Sequence, residues 1–128
     1  MKINCARCER LRKHICLTLF VLTGAPSFEG FKGALVENYI CQALTTNGFI
    51  PFYWSSPGKA ELDFIFQDSQ GNIIPLEGKS ADNVKSKSLK QYVSLYEPPY
   101  AVRVSAKNFG YENGIKSIPL YALFCMMP

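Results

Sequence analysis

Histidine is nearly absent from this sequence, since His14 is the only one among 128 residues. Any acid–base chemistry by the residues that follow His14 must therefore use carboxylates, lysine, tyrosine or a metal-bound water. The chain also lacks a Gly-x4-Gly-Lys-Ser/Thr loop, which excludes nucleotide binding by that motif. The apolar run at 15–22 is shorter than the roughly 20 residues that a membrane-spanning helix needs, so we expect no membrane span.

The five cysteines do not have the spacing of a disulfide framework, because three fall near the start of the chain and two lie far apart in its body. We therefore expect a reducing, cytoplasmic environment. A zinc site near the start is the alternative, but zinc knuckles usually separate two ligand pairs by a longer loop than this one. The residues concerned are Cys5, Cys8, His14 and Cys16, with Cys41 and Cys125 in the body.

The composition is that of one compact domain. A length of 128 residues, with 48% hydrophobic and 19% charged residues, allows one sizeable core and excludes general disorder. Most of the net charge of +4 falls in residues 1–30, so the charge of the body gives little indication of a nucleic-acid partner. Residues 1–30 resemble a signal peptide, although their basic region is long for one. We expect them to be an atypical, poorly ordered lead-in or one short buried element, and residues 31–128 to form the domain.

A helix is predicted over Ser27–Asn47, where apolar residues recur at three- and four-residue spacings. Asn47-Gly48 marks its end. Glu37 falls just beyond one edge of the apolar arc, so its carboxylate is able to reach inward. The alternative is that Glu37 is a boundary acid favoured by the helix N-terminus.

Three strands are predicted over 49–56, 60–66 and 73–79, separated by turn signals. If Asp63 pairs with Glu77, then Glu61 pairs with Lys79, and all four side chains lie on one face. Strict alternation puts Leu62, Phe64 and Phe66 on one face of the second strand and Glu61, Asp63 and Ile65 on the other. Opposed carboxylates repel each other, and a divalent cation between them would offset that repulsion.

A second helix is predicted over 82–99, ending at Pro98-Pro99. Its first half carries Lys85, Lys87 and Lys90, which form either a solvated face or a patch that contacts phosphates. A strand over 100–105, a glycine-rich loop over 107–114 and a strand over 118–126 follow.

The residue types in these strands suit metal-dependent phosphodiester cleavage. Mg²⁺ or Mn²⁺ binds through one or two carboxylates together with water and phosphate oxygens, and Asp63 and Glu77 supply such a pair. Lys79, about 6.6 Å from Glu77 along the strand, is placed to stabilise developing negative charge or to orient the attacking water. Glu37 is expected to bind the metal through water.

The order of these motifs resembles the PD-(D/E)XK nuclease superfamily. The resemblance rests on ALVEN (34–38), AELDFIF (60–66) and IIPLEGKS (73–80). More closely, residues 31–126 look like the C-terminal domain of uncharacterised prokaryotic AAA-type ATPases. The resemblance implies a restriction-endonuclease-like α/β fold, with an αβββαβ core and a mixed central sheet flanked by helices. It assigns that family's metal-site positions to Glu37, Asp63, Glu77 and Lys79.

Two departures from the family accompany this resemblance. Gly78 stands where a bulky apolar residue is usual, which removes a side chain from the opposite face of the strand and weakens it. The ATPase part is missing, so we expect a truncated, ATPase-associated protein.

We therefore expect a metal-dependent nuclease-like domain that acts on nucleic acid, with DNA as the expected substrate and an AAA-type ATPase as a further partner. The alternative is a non-catalytic module that binds DNA or docks onto an ATPase and keeps a vestigial site. A third reading is a truncated product with no independent role.

Overall fold

The computed structural model describes residues 2–5, 32–57, 60–79 and 86–128. The elements in these ranges are β1 (Lys2–Cys5), α1 (Lys32–Thr46), β2 (Phe52–Ser55), β3 (Glu61–Gln67), β4 (Ile73–Gly78), α2 (Lys87–Tyr96), β5 (Ala101–Ser105), β6 (Gly110–Glu112), β7 (Ile115–Pro119) and a final 3-10 helix (Leu120–Cys125). The mixed α/β fold is confirmed, as is the predicted order of helix, three strands, helix and strand from α1 to β5. Predictions for residues 6–31 and for Lys85 lie outside the described residues.

The described strands form one mixed, seven-stranded sheet in the order β1-β2-β3-β4-β5-β7-β6. The predicted meander is confirmed, because β2, β3 and β4 pair with their neighbours in antiparallel fashion. After the crossover through α2, β5 pairs in parallel with both β4 and β7. β5 is therefore the central strand of the parallel part of the sheet.

Two hydrophobic clusters pack against the two faces of the sheet. The first lies against α1 and the 3-10 helix, and its buried members are Ile40, Cys41, Ala43, Leu44, Phe49, Phe64, Phe66, Ile74, Leu76, Val102, Val104 and Leu123. The second lies against α2, and its buried members are Trp54, Ala60, Leu62, Ile65, Leu89, Tyr92, Ala101 and Ile115. In β4 and β5, alternation of side chains between the two faces explains this division.

α1 ends within one residue of its predicted end. Leu44 near that end is fully buried, and Gly48 then adopts a φ of +88°, a left-handed conformation that stops the helix. The side-chain amide of Asn47 donates to the carbonyl of Phe124 at 2.9 Å and to that of Met126 at 2.7 Å. These bonds fix the end of the chain to the end of α1.

β3 contains a bulge that the sequence analysis did not predict. Phe52 pairs with Ile65 and Trp54 pairs with Leu62, so two steps along β2 are matched by three along β3. Leu62 and Ile65 both belong to the second cluster, whereas Phe64 belongs to the first. The predicted strict alternation of β3 is therefore wrong, because the extra residue changes which face the following side chains occupy.

The chain after β5 also differs from the prediction. Asn113 and Gly114 have φ values of 51° and 75°, and Glu112 pairs with Ile115. They form a two-residue turn of type I′ between β6 and β7, so the loop predicted over 107–114 contains a strand, β6. The strand predicted at 118–126 is wrong in its second part, because the apolar residues after Pro119 form a 3-10 helix.

Candidate functional site

Glu77 and Lys79 form an ion pair at the end of β4. Lys79 Nζ lies 2.8 Å from Glu77 Oε1. The Lys79 backbone N–H donates to the carbonyl of Val104 at 2.8 Å, which extends the pairing with β5 by one residue. The Lys79 side chain is 30% exposed, whereas that of Glu77 is 7% exposed. The carboxylate is thus held inside the protein while solvent and solutes can reach the ammonium group.

One oxygen of Glu77 lacks a hydrogen bond to any residue that the structure describes. Oε2 is buried and has no hydrogen-bond partner in the part of the chain that the structure describes. The two other buried side-chain atoms of this kind, on Asn38 and Trp54, are nitrogens, so Oε2 is the only such acceptor among the described residues. A buried carboxylate oxygen without a donor is costly, and a bound cation or donor would remove that cost.

Gly78 allows α1 to approach β4 closely. A Cβ at this position would lie 2.5 Å from Ile40 Cδ1 and 3.4 Å from Val36 Cγ1. Ile40 is fully buried, so it has little room to move aside. Side chains of α1 therefore fill the space that is open at this glycine.

Asp63 contacts the backbone of β4 next to Glu77. The N–H of Gly78 donates to Asp63 Oδ2 at 3.1 Å, and this oxygen is also 3.9 Å from the Cβ position on the α1 side of Gly78. Glu77 alternates with Gly78 and therefore lies on the α2 side. The β3 bulge breaks the strict alternation on which the expectation of one shared face for Asp63 and Glu77 rested.

The predicted β3–β4 register is confirmed over four pairs, from Gln67–Ile73 to Phe64–Leu76. The regular pairing stops one residue before Asp63 and Glu77. Glu37 is half-buried on α1, in the turn that packs on Gly78. The structure thus brings Asp63, Glu77 and Lys79 to one end of β4, with α1 alongside.

Arg103 and Ser86 are neighbours of this site that the sequence analysis missed. Arg103 is the register partner of Glu77 in the parallel β4–β5 pair. Its Nε donates to Ser86 Oγ at 3.2 Å, and Ser86, just before α2, is 1% exposed. The Ser86 hydroxyl does not cap α2. No sequence signal identifies this pair, because parallel register across a helical crossover cannot be read from local spacing.

Lys87 and Lys90 are exposed in the first turn of α2, the same end of the helix as Ser86. The positive end of the helix macrodipole lies there as well. Both lysines therefore lie at the end of α2 where Ser86 contacts Arg103.

Among the described residues, no three His, Cys, Asp or Glu side chains are close enough together to hold a metal ion. In the same part of the chain, no helix is long and apolar enough to cross a membrane.

The chain is thus a mixed α/β domain in which the sequence Glu77-Gly78-Lys79 lies at the end of β4. Within that class, residues 32–123 match a family model described as "Domain of unknown function (DUF4143)". The match covers more than two thirds of the chain, so the chain belongs to the DUF4143 family. Neither a curated protein nor a solved structure matches the chain.

Proposed function

We propose that this DUF4143 chain is a metal-dependent, nuclease-like domain of the PD-(D/E)XK type that acts on the phosphodiesters of nucleic acid, with DNA as the expected substrate. The observation that carries the proposal is the Glu77 carboxylate. One oxygen is paired with Lys79 at 2.8 Å, and the other is buried without a partner among the described residues. An unpaired buried carboxylate oxygen fits a hard divalent cation.

In this proposal Glu77 Oε2 is the oxygen that binds Mg²⁺ or Mn²⁺. The resemblance also assigns Asp63, whose carboxylate accepts from the N–H of Gly78, and Glu37 on α1 to the metal. In the described part of the chain these two form no three-ligand group with Glu77, so the proposal rests on Glu77. Magnesium takes one or two carboxylates and completes its coordination with water and phosphate oxygens. Such an ion lowers the pKa of bound water and offsets negative charge on the phosphate.

The residues of this chain have separate roles in the proposal. Lys79 is exposed enough to contact a phosphate oxygen, and its backbone bond to Val104 fixes its position on β4. Arg103, Lys87 and Lys90 supply further positive charge for the nucleic-acid backbone. An association with an AAA-type ATPase is part of the proposal and rests on the sequence resemblance alone.

The proposal is tested by incubating the purified chain with supercoiled plasmid and with a single-stranded oligonucleotide in Mg²⁺ or Mn²⁺. We expect cleavage that stops in chelator and falls by at least about a hundredfold in Glu77→Gln and Lys79→Met, since each change removes one charge from the site. Glu112→Gln and Lys107→Met, both at exposed positions, are the matched controls and should cleave normally.

Cleavage that persists in both site variants would overturn the assignment of the site. If the wild-type chain binds DNA but never cleaves it, the non-catalytic binding module becomes the better account. Tight binding to an ATPase partner without either property would favour the docking module.

A further inference from the structure

A separate cavity lies at the far end of β4 and α2 from Glu77. Its volume is about 420 Å³, and Asn72, Tyr92, Tyr96, Glu97, Pro98 and Pro99 are among the residues that line it. Ile73, which starts β4, also lines it and is about 13 Å along the strand from Glu77. The cavity is therefore distinct from the proposed nuclease site.

The residues that line this cavity include a side-chain amide and a carboxylate. Asn72 Nδ2 donates to Asp68 Oδ1 at 3.3 Å and to Oδ2 at 3.1 Å. An ionised carboxylate only accepts, so these bonds fix the orientation of the amide and leave Asn72 Oδ1 as an acceptor. The exposed Glu97 contributes a negative carboxylate.

The C-terminus of α2 adds negative potential to the same cavity. The carbonyls of the last helical turn carry the negative end of the macrodipole. Glu97, the C-cap residue, has a φ of 45° and donates its N–H to the carbonyl of Val93. Pro98 and Pro99 follow directly, and neither has an N–H with which to bond the remaining carbonyls. A cation is favoured here, and an anion is not.

Flat rings form the apolar part of the cavity. The ring centroids of Tyr92 and Tyr96 are 4.6 Å apart, with an angle of 41° between the ring planes. Burial, and then the neighbouring Tyr96, raises the pKa of Tyr92, so its hydroxyl stays neutral. Tyrosine faces attract cations, and the two prolines add further flat apolar surface.

We propose that this cavity binds the guanidinium group of an arginine side chain on a partner protein. Guanidinium is planar, always charged, and has five N–H donors and no acceptor, which complements tyrosine faces, the Glu97 carboxylate and Asn72 Oδ1. A phosphate or a nucleic-acid backbone would meet the Glu97 charge and the negative helix end. This interaction is independent of the proposed nuclease activity.

The test uses the peptide acetyl-Gly-Arg-Gly-amide and its counterpart with citrulline, which has a similar planar shape but no charge. Trp54 is the only tryptophan and lies 5.1 Å from the Tyr92 ring and 6.0 Å from the Tyr96 ring, so its fluorescence reports binding. We expect the arginine peptide to bind at least about tenfold more tightly than the citrulline peptide.

Glu97→Gln keeps the shape of the side chain and should raise the dissociation constant of the arginine peptide about five- to tenfold, because the carboxylate is exposed. Tyr96→Leu should weaken binding as well. Glu112→Gln makes the same change of charge on β6 and should leave binding unchanged.

Three results would overturn the proposal: no binding of the arginine peptide at about 10 mM, equal binding of both peptides, or an unchanged dissociation constant in Glu97→Gln. Binding of a single-stranded oligonucleotide that weakens in Tyr96→Leu but strengthens in Glu97→Gln would assign the cavity to nucleic acid instead. Circular dichroism of each variant checks that the fold is retained.

Discussion

Ile40 Cδ1 lies 2.5 Å from the point that a Cβ on Gly78 would occupy. The residue between Glu77 and Lys79 is therefore a point of contact between β4 and α1. A side chain at this position would require the buried Ile40 side chain or the helix to shift.

Gly78→Ala should destabilise the protein by about 1–2 kcal/mol, because the added methyl group overpacks a site next to the fully buried Ile40. The measurement is the free energy of unfolding in urea. Gly33→Ala is the matched control, since nothing lies within 4 Å of its Cβ position on α1. We expect that control to be neutral or stabilising by up to about 1 kcal/mol. Equal effects at the two positions would show that the approach of α1 does not depend on Gly78.

In the proposed complex Arg103 contacts a phosphate. Arg103→Gln should therefore weaken DNA binding and reduce the slope of log affinity against log salt concentration by about one unit. Ser86→Ala retains the guanidinium charge and removes the acceptor of its Nε hydrogen bond. It should therefore weaken binding less and leave the salt slope unchanged. Lys107→Gln, at an exposed position in the loop after β5, measures the effect of removing an unrelated positive charge. The same salt slope in Arg103→Gln and the wild type would contradict the role of Arg103.

Gly114→Ala should destabilise the β6–β7 hairpin by about 1 kcal/mol, because its φ of +75° strains any residue that has a Cβ. Gly110→Ala is the control in the same hairpin. Its added Cβ meets Ser117 Cβ at an ordinary 3.8 Å. Thermal unfolding of the two variants provides the comparison, and a larger loss of stability in Gly110→Ala would contradict the I′ turn.

Protonation of Asp68 should make the protein less stable in acid. Partial burial opposes ionisation of this carboxyl, but hydrogen bonds from Asn72, Gln70 and Tyr100 outweigh it and lower its pKa below the ordinary 3.8. Its contribution to stability is therefore fully present above that value and is lost as the pH falls through the lower, folded-state pKa.

Asp68→Asn retains an oxygen for the backbone amides but does not titrate. Its melting temperature should fall less between pH 5 and pH 3 than that of the wild type, whereas Glu112→Gln should behave like the wild type. The partner Tyr100 gives the opposite trend: burial, and then Asp68, raises its pKa above 10.0. The stability that the neutral Tyr100 hydroxyl contributes is present below pH 10.0 and is lost as the pH rises through the higher, folded-state pKa. Parallel acid profiles for Asp68→Asn and the wild type would contradict the role of Asp68.

The parts of the fold that local spacing determines were predictable. The apolar stripes of α1 and α2 have a helical period, and Asn47-Gly48 and Pro98-Pro99 end them. The polar stretch 67–72 indicated the β3–β4 hairpin, whose register was also predictable. The Asn113-Gly114 turn had an equally clear signal, because Asn-Gly favours two successive positive φ values.

The remaining features depend on contacts between distant segments. Nothing in the residues of β3 reveals the bulge, which appears only in its pairing with β2. The approach of Ile40 to Gly78 and the pairing of Glu77 with Arg103 likewise require the sheet order. For the site, the sequence indicated Asp63, Glu77 and Lys79, but not the faces that their side chains occupy.

The position of β5 has a consequence for how the chain folds. The β2–β4 meander and the β6–β7 hairpin each form from neighbouring segments, whereas β5 must pair in parallel with a strand of each. Parallel pairing of distant segments has the larger loop-closure cost and is slow. We expect β5 to be the last strand to gain protection in pulsed hydrogen exchange during refolding. Protection of β5 before the β3–β4 hairpin would contradict this order. Since Arg103 lies on β5 beside Glu77, the ion-paired site would then be completed only at the final step of folding.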